Sequence, residues 1–426
     1  MSWLMFFAFT ICFLMGIPLA IVMGITGFAV ILAMGVPLEV VAQRMFTGID
    51  SFPLMAVPFF ILAGDLMNRG GTTIRIIGFA NSLVGHIRGG LAHACVVANM
   101  IFAGISGSSV ADASAIGSIM IPSMEKSGYE LDFSAALNSV AATIGPIIPP
   151  SIIMVIYGVS VNVSVGGLFA AGFLPGILMG LALMFVVSRV ARKRNYPVSE
   201  GFSGKKVALE FKSAIWALLA PVIILGGILG GIFTPTEAAA VAVIYAFFVG
   251  KFVFKEITWK ALPGILFQSG ATTGAILLII SFANVFAWVI AANQVPVKLS
   301  ALFLSATSNP WVFLLIVNIL LLIVGMFMET GAAIILLAPI LAPIAVKLGI
   351  HPLHFGFMMV LNLAIGMATP PVGVCLFVGC GISGLSLEKV SAAGMRFVVA
   401  LIGVLALVTY VEPLSLFLPR LLGFIR

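Results

Sequence analysis

Charged residues are scarce in this chain. Only 8% of its 426 residues are Asp, Glu, Lys or Arg, whereas 62% are hydrophobic. A soluble domain carries about 25% charged residues, so this composition excludes an ordinary soluble fold. Apolar stretches of roughly 16 to 30 residues recur along the chain, and about 20 such residues cross a bilayer as a helix. Because backbone polar groups must find partners inside a membrane, the sequence predicts an all-α polytopic protein embedded in the lipid bilayer.

Residues and motifs that carry enzyme chemistry are also sparse. The sequence has four histidines and four cysteines, and no HExxH, GxSxG or Walker-type motif. The cysteines lie in apolar runs, which favours buried, unreactive thiols over a disulfide or a metal site. His351 and His354 flank a proline and have no further ligand nearby, so we expect no transition-metal site, no catalytic residue and no organic cofactor. Because the sequence has no Walker motif for ATP hydrolysis, an ion gradient or a partner protein is the expected energy source for any active process.

The basic residues define an orientation rather than a nucleic-acid surface. The net charge is +7, and the densest basic cluster lies in a short polar stretch that starts at residue 189. The positive-inside rule places this stretch in the cytoplasm, so we expect no nucleic-acid partner. We divide the chain into a first repeat at 1–200, a cytoplasmic basic linker at 201–213 and a second repeat at 214–426. Counting spans outward predicts periplasmic termini, with one or two spans in 2–34, and we identify no cleaved signal peptide.

The two halves resemble each other. An offset of 221 residues aligns seven Gly or Pro identities within a 55-residue ungapped window, and Gly104/Gly325 is one of these pairs. The other identities are Pro122/Pro343, Gly128/Gly349, Gly145/Gly366, Pro149/Pro370, Pro150/Pro371 and Gly158/Gly379. Internal repeats of this kind in secondary transporters often have inverted topology, with binding sites at broken helices near the membrane midplane.

Each half contains two interruptions of its apolar pattern. A cluster of small or polar residues predicts a re-entrant helical hairpin, and a Pro pair predicts a broken helix. A short amphipathic segment before each hairpin predicts a helix at the membrane interface. In the first repeat, the interfacial helix is expected at 74–87, the hairpin at about 89–126 and the broken helix at about 133–160. In the second repeat, the interfacial helix is expected at 297–306, the hairpin at about 310–347 and the broken helix at about 353–380.

The first hairpin and the first Pro pair suggest a cation site. Ser106, Ser108 and Ser109 form the apex, and the Pro pair should leave the carbonyls of Gly145 and Pro146 without helical partners. Hydroxyl and carbonyl oxygens are hard ligands that suit sodium. The alternative interpretation is that small residues at the apex only permit close helix packing.

The second half offers related but different residues. Glu329 and Thr330 occupy the corresponding apex, and an acid within the membrane is usually functional. The second Pro pair should free the carbonyls of Gly366 and Met367. Asp112 is either a functional acid or a cap near a helix N-terminus.

Two further groups of polar residues have mainly structural interpretations. The main interpretation of the stretch from Thr234 to Glu237 is a capping box with proline at the first helical position. Asp50 and Asp65 lie near the ends of a span, where water can reach them.

Four stretches together resemble the large membrane subunit of tripartite ATP-independent periplasmic (TRAP) transporters. They are GISGSSVADASAIGSIMIPSM, GGIFTPTEAAAVAV, GMFMETGAAIILLAPILAPIA and NLAIGMATPPVGV. The resemblance covers essentially the whole chain. It implies a sodium-coupled importer in the bacterial inner membrane, with a small four-helix membrane subunit and a periplasmic substrate-binding protein as partners. It also implies an elevator-type fold similar to divalent-anion/sodium symporters, in which a transport domain moves against a scaffold.

The resemblance also implies ligands for the coupling ion. The first sodium site would use Ser106 and Ser109 with Gly145 and the carbonyl of Ile148 just before Pro149, and Ser108 lies at the same apex. The second site would use Gly325, Gly366 and Thr369, with Glu329 and Thr330 at its apex. We assign Asp112, Pro150 and Pro371 to the vicinity of the substrate. Thr369 stands where Ile148 stands in the first repeat, so the two sites differ chemically.

These observations predict a secondary active importer of a small organic anion, of the C4-dicarboxylate or sialic-acid type. A stand-alone anion symporter that needs no binding protein is the main alternative. An intramembrane enzyme would need paired acids or clustered histidines at one depth, and a passive channel fits broken-helix repeats less well than alternating access does.

Overall fold

The computed structural model describes residues 7, 9, 11–12, 15–198, 201–295 and 309–425. Within these ranges the fold is helical apart from one isolated bridge between Arg88 and Val198. The interfacial helix expected at 297–306 lies outside the described residues. The α-helices of the described part are α1 (Leu19–Ala33), α2 (Glu39–Ile49), α3 (Ala56–Arg69), α4 (Thr72–Val84), α5 (Gly90–Ser106), α6 (Ser109–Lys126), α7 (Leu131–Ala141), α8 (Ile152–Val161), α9 (Val165–Lys193), α10 (Gly204–Leu229), α11 (Pro235–Phe248), α12 (Leu262–Ala292), α13 (Pro310–Phe327), α14 (Thr330–Lys347), α15 (Pro352–Gly366), α16 (Val374–Ser383), α17 (Leu387–Tyr410) and α18 (Pro413–Leu421).

Seven helices in the described part are long and apolar enough to cross a membrane, and an eighth span forms if the bent pair of α2 and α3 counts as one. The seven are α9, α10, α11 with the π-turn that follows it, α12, α13, α14 and α17. Large apolar side chains such as Phe267 and Ile244 are exposed on them. An apolar exterior of this kind requires lipid as its solvent, so the chain is a multi-pass membrane protein.

Helix α12 organises one group of helices because it packs along α1, α2 and α3, while α11 also packs against α3. Hydrogen bonds hold these neighbours together: the Ser281 hydroxyl donates to the Met45 carbonyl over 2.9 Å, and the Thr236 hydroxyl donates to the Phe52 carbonyl over 3.0 Å. The capping box predicted at the start of α11 is confirmed, since Thr234 and Glu237 form both of its reciprocal bonds. We call α1, α2, α3, α11 and α12 the scaffold helices.

A second group of helices surrounds two that are almost completely buried, α7 and α15. Helix α7 packs against α6, α16 and α17, and α15 packs against α13, α14 and α9. Two thiols in this group, Cys95 and Cys375, are buried as expected, whereas Cys380 and the more N-terminal Cys12 are only partly buried, and all four are free.

Two pairs of helices are joined by very short connections. Helices α5 and α6 are linked through Gly107, whose φ of +61° favours glycine, and Ser108. Helices α13 and α14 are linked through Met328 and Glu329. We call residues 106–109 the first turn and 327–330 the second turn. The helices lie within the ranges expected for the hairpins, while their re-entrant and inverted arrangement stays a prediction.

Two buried helices end in irregular segments at the Pro pairs. Helix α7 gives way to the 3-10 turn Ala142–Ile144, and the chain becomes helical again at α8. Helix α15 ends at Gly366, and α16 begins at Val374. Both Pro–Pro peptides are cis. We call residues 142–151 the first break and 367–373 the second break.

Candidate functional site

Both turns and both breaks line one cavity of about 370 Å³. Scaffold helices α3 and α12 form its other wall. The cavity therefore lies between two groups of helices, a common place for a ligand site. The lining residues are Ile61, Gly64, Asp65, Asn68, Phe102, Ser106, Gly107, Ser108, Ser109, Val110, Ala111, Ser114, Pro146, Ile152, Ile153, Gln268, Thr272, Ile276, Glu329, Thr330 and Met367.

The first turn encloses a buried carboxylate. The Ser106 hydroxyl donates a hydrogen bond to Oδ1 of Asp112, and Asp112 is fully buried. Its other oxygen, Oδ2, accepts no hydrogen bond from the described residues. Ser108 is the N-cap of α6 and accepts from the Ala111 N–H over 3.5 Å, so Asp112 is not the helix cap. A buried, unpartnered carboxylate oxygen is costly and needs a cation or a proton.

The first break lies directly against this carboxylate. A Cβ placed on Gly145 would lie 2.5 Å from Asp112 Oδ2, so only glycine leaves room there. The backbone hydrogen bonds of the described residues leave the carbonyls of Gly145 and Pro146 without a donor, as the sequence predicted. The turn and the break also touch elsewhere, since a Cβ on Gly107 would lie 2.7 Å from the Pro150 carbonyl oxygen.

Ile148 and Pro149 occupy different surroundings within the first break. The Ile148 side chain packs beside Gly176 of α9. The Pro149 carbonyl oxygen lies near Gly104, where an added Cβ would be 3.6 Å away. Neither residue lines the cavity.

The second break corrects one expectation. The carbonyls of Gly366 and Met367 are not free: the first accepts from the Thr369 N–H over 2.9 Å and the second accepts from the Cys375 N–H over 2.9 Å. The chain tightens after α15 and then returns into α16, which brings new N–H donors to both carbonyls. The Thr369 hydroxyl donates to the Ile365 carbonyl over 2.8 Å.

The second turn packs on this break through two glycines. A Cβ on Gly366 would lie 2.6 Å from the Gly325 Cα, and the Gly373 N–H donates to the Met326 carbonyl over 3.1 Å. Glu329 is exposed and caps α14 by accepting from the Ala332 N–H over 3.0 Å. The Thr330 hydroxyl is fully buried and has no hydrogen-bond partner among the described residues.

The structure therefore separates the residues singled out from the sequence into two layers. Ser106, Ser108, Ser109, Glu329 and Thr330 line the cavity. The residues behind this lining are Asp112, Gly145, Gly325, Gly366 and Thr369. Of the three residues assigned to the vicinity of the substrate, neither Asp112 nor Pro150 nor Pro371 lines the cavity, and Asp112 instead lies beside Ser106 and Gly145, two residues of the predicted first sodium site.

Sequence reasoning missed the scaffold side of the cavity. Asp65 and Asn68 come from α3, and Gln268 and Thr272 come from α12. The available signal was polarity at one-turn spacing inside otherwise apolar helices, because polar residues within membrane spans usually face a cavity. The sequence alone predicts for Asp65 only a position near the end of a span.

The two conspicuous histidines serve structure. Both ring nitrogens of His354 are engaged, with the Ser415 hydroxyl at 2.7 Å and the Thr409 carbonyl at 3.2 Å. His351 caps α15 by accepting from the Leu353 N–H. In the described ranges, no three His, Cys, Asp or Glu residues come together as metal ligands.

A helical membrane fold with broken helices around a cavity lined by both polar and apolar side chains is typical of a membrane transport protein. The chain belongs to the family of the tripartite ATP-independent periplasmic transporter, DctM component, whose model matches residues 6–414. It is 46% identical to the C4-dicarboxylate TRAP transporter large permease protein DctM of Pseudomonas aeruginosa, over 90% of each chain. It is 44% identical to the sialic acid TRAP transporter large permease protein SiaM of Vibrio cholerae, also over 90% of each chain.

The fold itself also has a solved relative. The YdaH transporter of Alcanivorax borkumensis matches with a TM-score of 0.65 at 15% identity, covering 89% of this chain and 90% of that one. At this identity the likeness concerns the fold alone. The large-permease family is one of transporters, so the chain is not an enzyme.

Proposed function

We propose that this chain is the sodium-coupled translocating subunit of a binding-protein-dependent importer of a small organic anion. The observation that carries the proposal is the environment of Asp112: a buried carboxylate oxygen lies against Gly145, and neither this oxygen nor the Gly145 carbonyl has a hydrogen-bond donor among the described residues. A cation at this place would satisfy both oxygens at once.

The first sodium ion binds between the first turn and the first break. Asp112 supplies charge, Gly145 supplies a carbonyl, and the hydroxyls of Ser106 and Ser109 lie at the turn. Sodium fits this set of hard oxygen ligands, whereas copper and zinc prefer sites with nitrogen or sulfur ligands. Ser108, Ile148 and Pro149 shape the backbone around the site.

The second sodium ion binds between the second turn and the second break. The buried hydroxyl of Thr330 has no hydrogen-bond partner in the described part of the chain, and the carbonyl of Gly366 and the hydroxyl of Thr369 each keep a lone pair beyond their present hydrogen bond. Gly325 allows the turn to approach the break closely. Glu329 lines the cavity next to this site.

Sodium coupling gives the uptake of an anion a driving force. Moving one elementary charge across 100 mV is worth about 2.3 kcal/mol, and a negative-inside membrane opposes the entry of an anion by that amount. Co-transport of two sodium ions with a monoanion reverses the sign, because net positive charge then moves inward.

The substrate occupies the cavity in front of both ions. The turns and breaks then move against the scaffold helices as an elevator, carrying ions and substrate together. The repeated Gly and Pro positions, and the caps supplied by Ser108 and Glu329 at the same offset of 221 residues, support two repeats of inverted topology.

The family name states that the transporter has three parts. We propose that a small four-helix membrane subunit, as a separate polypeptide, braces the scaffold helices, and that a periplasmic binding protein delivers the substrate to this chain in the inner membrane. Both termini then face the periplasm. The names of the relatives suggest a C4-dicarboxylate or a sialic acid as the substrate.

Reconstituted uptake tests this function. The chain and its small subunit are placed in proteoliposomes, and uptake is measured with and without an inward sodium gradient and the binding protein. We expect uptake to require both, and we expect the Ser106→Ala/Ser109→Ala double variant to lose its sodium dependence. Ser118→Ala is the matched control, since Ser118 lies on the exposed side of the same helix.

Two outcomes separate the alternatives. Uptake without the binding protein would move the chain to the stand-alone symporters. Sodium coupling that persists in the double variant would refute the first sodium site.

A further inference from the structure

The scaffold wall of the cavity carries its own polar set. Asp65 and Asn68 of α3 face the cavity together with Gln268 and Thr272 of α12. The Ser269 hydroxyl donates to Asp65 Oδ2 over 2.5 Å, which joins the two helices and fixes the carboxylate. Asp65 accepts no other hydrogen bond from the described residues and is half-buried, so it has acceptor capacity for a ligand.

The opposite wall has a different chemistry. It includes the two turns, where the buried hydroxyls of Ser109 and Thr330 line the cavity without a hydrogen-bond partner among the described residues. Helices α6 and α14 begin at these turns, and the positive ends of their dipoles favour an anion. One substrate carboxylate fits this wall, because Glu329 on the same wall is exposed and accepts from the Ala332 N–H, and the two proposed sodium ions offset its charge.

The charges of the cavity restrict the other end of the substrate. Among the described residues that line it, the ionisable side chains are Asp65 and Glu329, and both are acidic. Neither Lys, Arg nor His joins them in this lining. A second carboxylate on the substrate would thus face the acid of the scaffold wall with no cationic side chain beside it, whereas a hydroxyl or ammonium group could donate to Asp65.

We propose, on the basis of the function above, that the substrate is a monocarboxylate whose far end carries hydroxyl or ammonium donors, and that Asp65 is a specificity-determining residue that accepts from those donors. Asn68 and Gln268 present amides on the same wall, and they suit a substrate with several polar groups. The cavity of about 370 Å³ lies within the range of pockets that enclose whole small molecules, so it has room for such a substrate.

Equilibrium binding to the chain and its small subunit in lipid nanodiscs tests the inference without the selectivity of the binding protein. The probes are radiolabelled D-gluconate, N-acetylneuraminate and 4-aminobutyrate, with succinate as the dicarboxylate. Binding is measured in sodium and in choline for wild type, Asp65→Asn and Asp50→Asn. Asp50 is an exposed acid at the end of α2 that does not line the cavity, and it is the matched control.

In sodium, we expect at least one of the three monocarboxylates to bind wild type more tightly than succinate, by about tenfold or more. Asp65→Asn removes the negative charge and keeps the size of the side chain. It should weaken binding of that monocarboxylate about tenfold, strengthen binding of succinate, and so reverse or abolish the preference. Asp50→Asn should change neither the binding of that monocarboxylate nor the binding of succinate.

The proposal is overturned if succinate binds wild type as tightly as the best monocarboxylate, or if Asp65→Asn leaves the ratio unchanged. A thermal-unfolding scan of the same samples in sodium and in choline distinguishes a failure of the substrate class from a failure of the proposed sodium-coupled function. Sodium stabilisation without binding of any monocarboxylate refutes the substrate class alone, whereas the absence of any sodium effect refutes the proposed function itself.

Discussion

The two turns are capped alike but differ in chemistry and at one backbone position, since Gly107 has a φ of +61° and the corresponding Met328 has a φ of −118°. Each is capped by a side-chain oxygen, Ser108 or Glu329, and each precedes an 18-residue helix. The first holds the buried pair of Ser106 and Asp112, and the offset of 221 residues places Phe327 and Ala333 at the corresponding positions of the second.

The two breaks also differ in the oxygens that they leave free of hydrogen bonds. The carbonyls of Gly145 and Pro146 have no backbone donor within the described residues, whereas those of Gly366 and Met367 each accept an N–H. On the proposed function, the first half offers a cation the carboxylate of Asp112, and the second half offers neutral oxygens. The comparison teaches that two halves related in sequence need not offer an ion the same ligands.

Among the proposed variants, those at the two acids, Asp112 and Glu329, should show the largest difference in sodium dependence between the two halves. Asp112→Asn should raise the sodium concentration for half-maximal uptake about a hundredfold, because a buried charged ligand contributes about 3 kcal/mol. Glu329→Gln should raise it less than about fivefold, since the exposed amide still accepts from the Ala332 N–H and only a screened charge is lost. A sodium titration of uptake in proteoliposomes measures both. Equal effects would show that the acids play the same role.

Replacing the two glycines should separate packing from ion binding. Gly366→Ala should lower the free energy of unfolding by about 2 kcal/mol, because the methyl group meets the backbone of Gly325, which cannot move aside. Gly145→Ala pushes against the Asp112 side chain instead, so it should weaken sodium binding more than it lowers stability. Chemical unfolding in detergent and sodium titration give the two values.

Gly270→Ala is the control for both glycine variants. It lies in α12, and no atom of the described residues stands within 4 Å of its added methyl group. If Gly145→Ala lowered stability as much as Gly366→Ala and left sodium affinity unchanged, the first break would be a packing feature only.

Removing the caps should have the smallest effect. The N–H···O distance is 3.5 Å at Ser108 and 3.0 Å at Glu329, so Ser108 forms the weaker cap. We expect Ser108→Ala to destabilise by about 0.5 kcal/mol and Glu329→Ala by about 1 kcal/mol. Thermal unfolding of the two variants in sodium-free buffer compares the caps without the contribution of bound ions. The reverse order would indicate that Ser108 has a further structural partner.

The sequence predicted the features that depend on local chemistry. The long apolar runs, the helix ends around Gly107 and Glu329, and the capping box at Thr234 all follow from composition and spacing. The offset between the halves pointed to Gly145 and Gly366 before any coordinates, because glycine and proline restrict the backbone in recognisable ways.

Features that depend on the meeting of distant segments could not be predicted. Asp65 and Ser269 are far apart in the chain and meet only because α3 packs on α12. The donors that occupy the carbonyls of Gly366 and Met367 depend on how tightly the chain turns after α15, and a Pro pair alone does not determine this. Asp112 had two interpretations until its contact with Ser106 was visible.

The most direct test of the account is the number of sodium ions bound per chain. Equilibrium binding of ²²Na⁺ to the purified chain in nanodiscs, compared between wild type and Asp112→Asn, measures it, with Ser118→Ala as the control. The account predicts that Asp112→Asn binds one sodium ion fewer than wild type and that the remaining binding keeps its affinity. The same number of ions, bound equally tightly, would contradict a sodium site at Asp112.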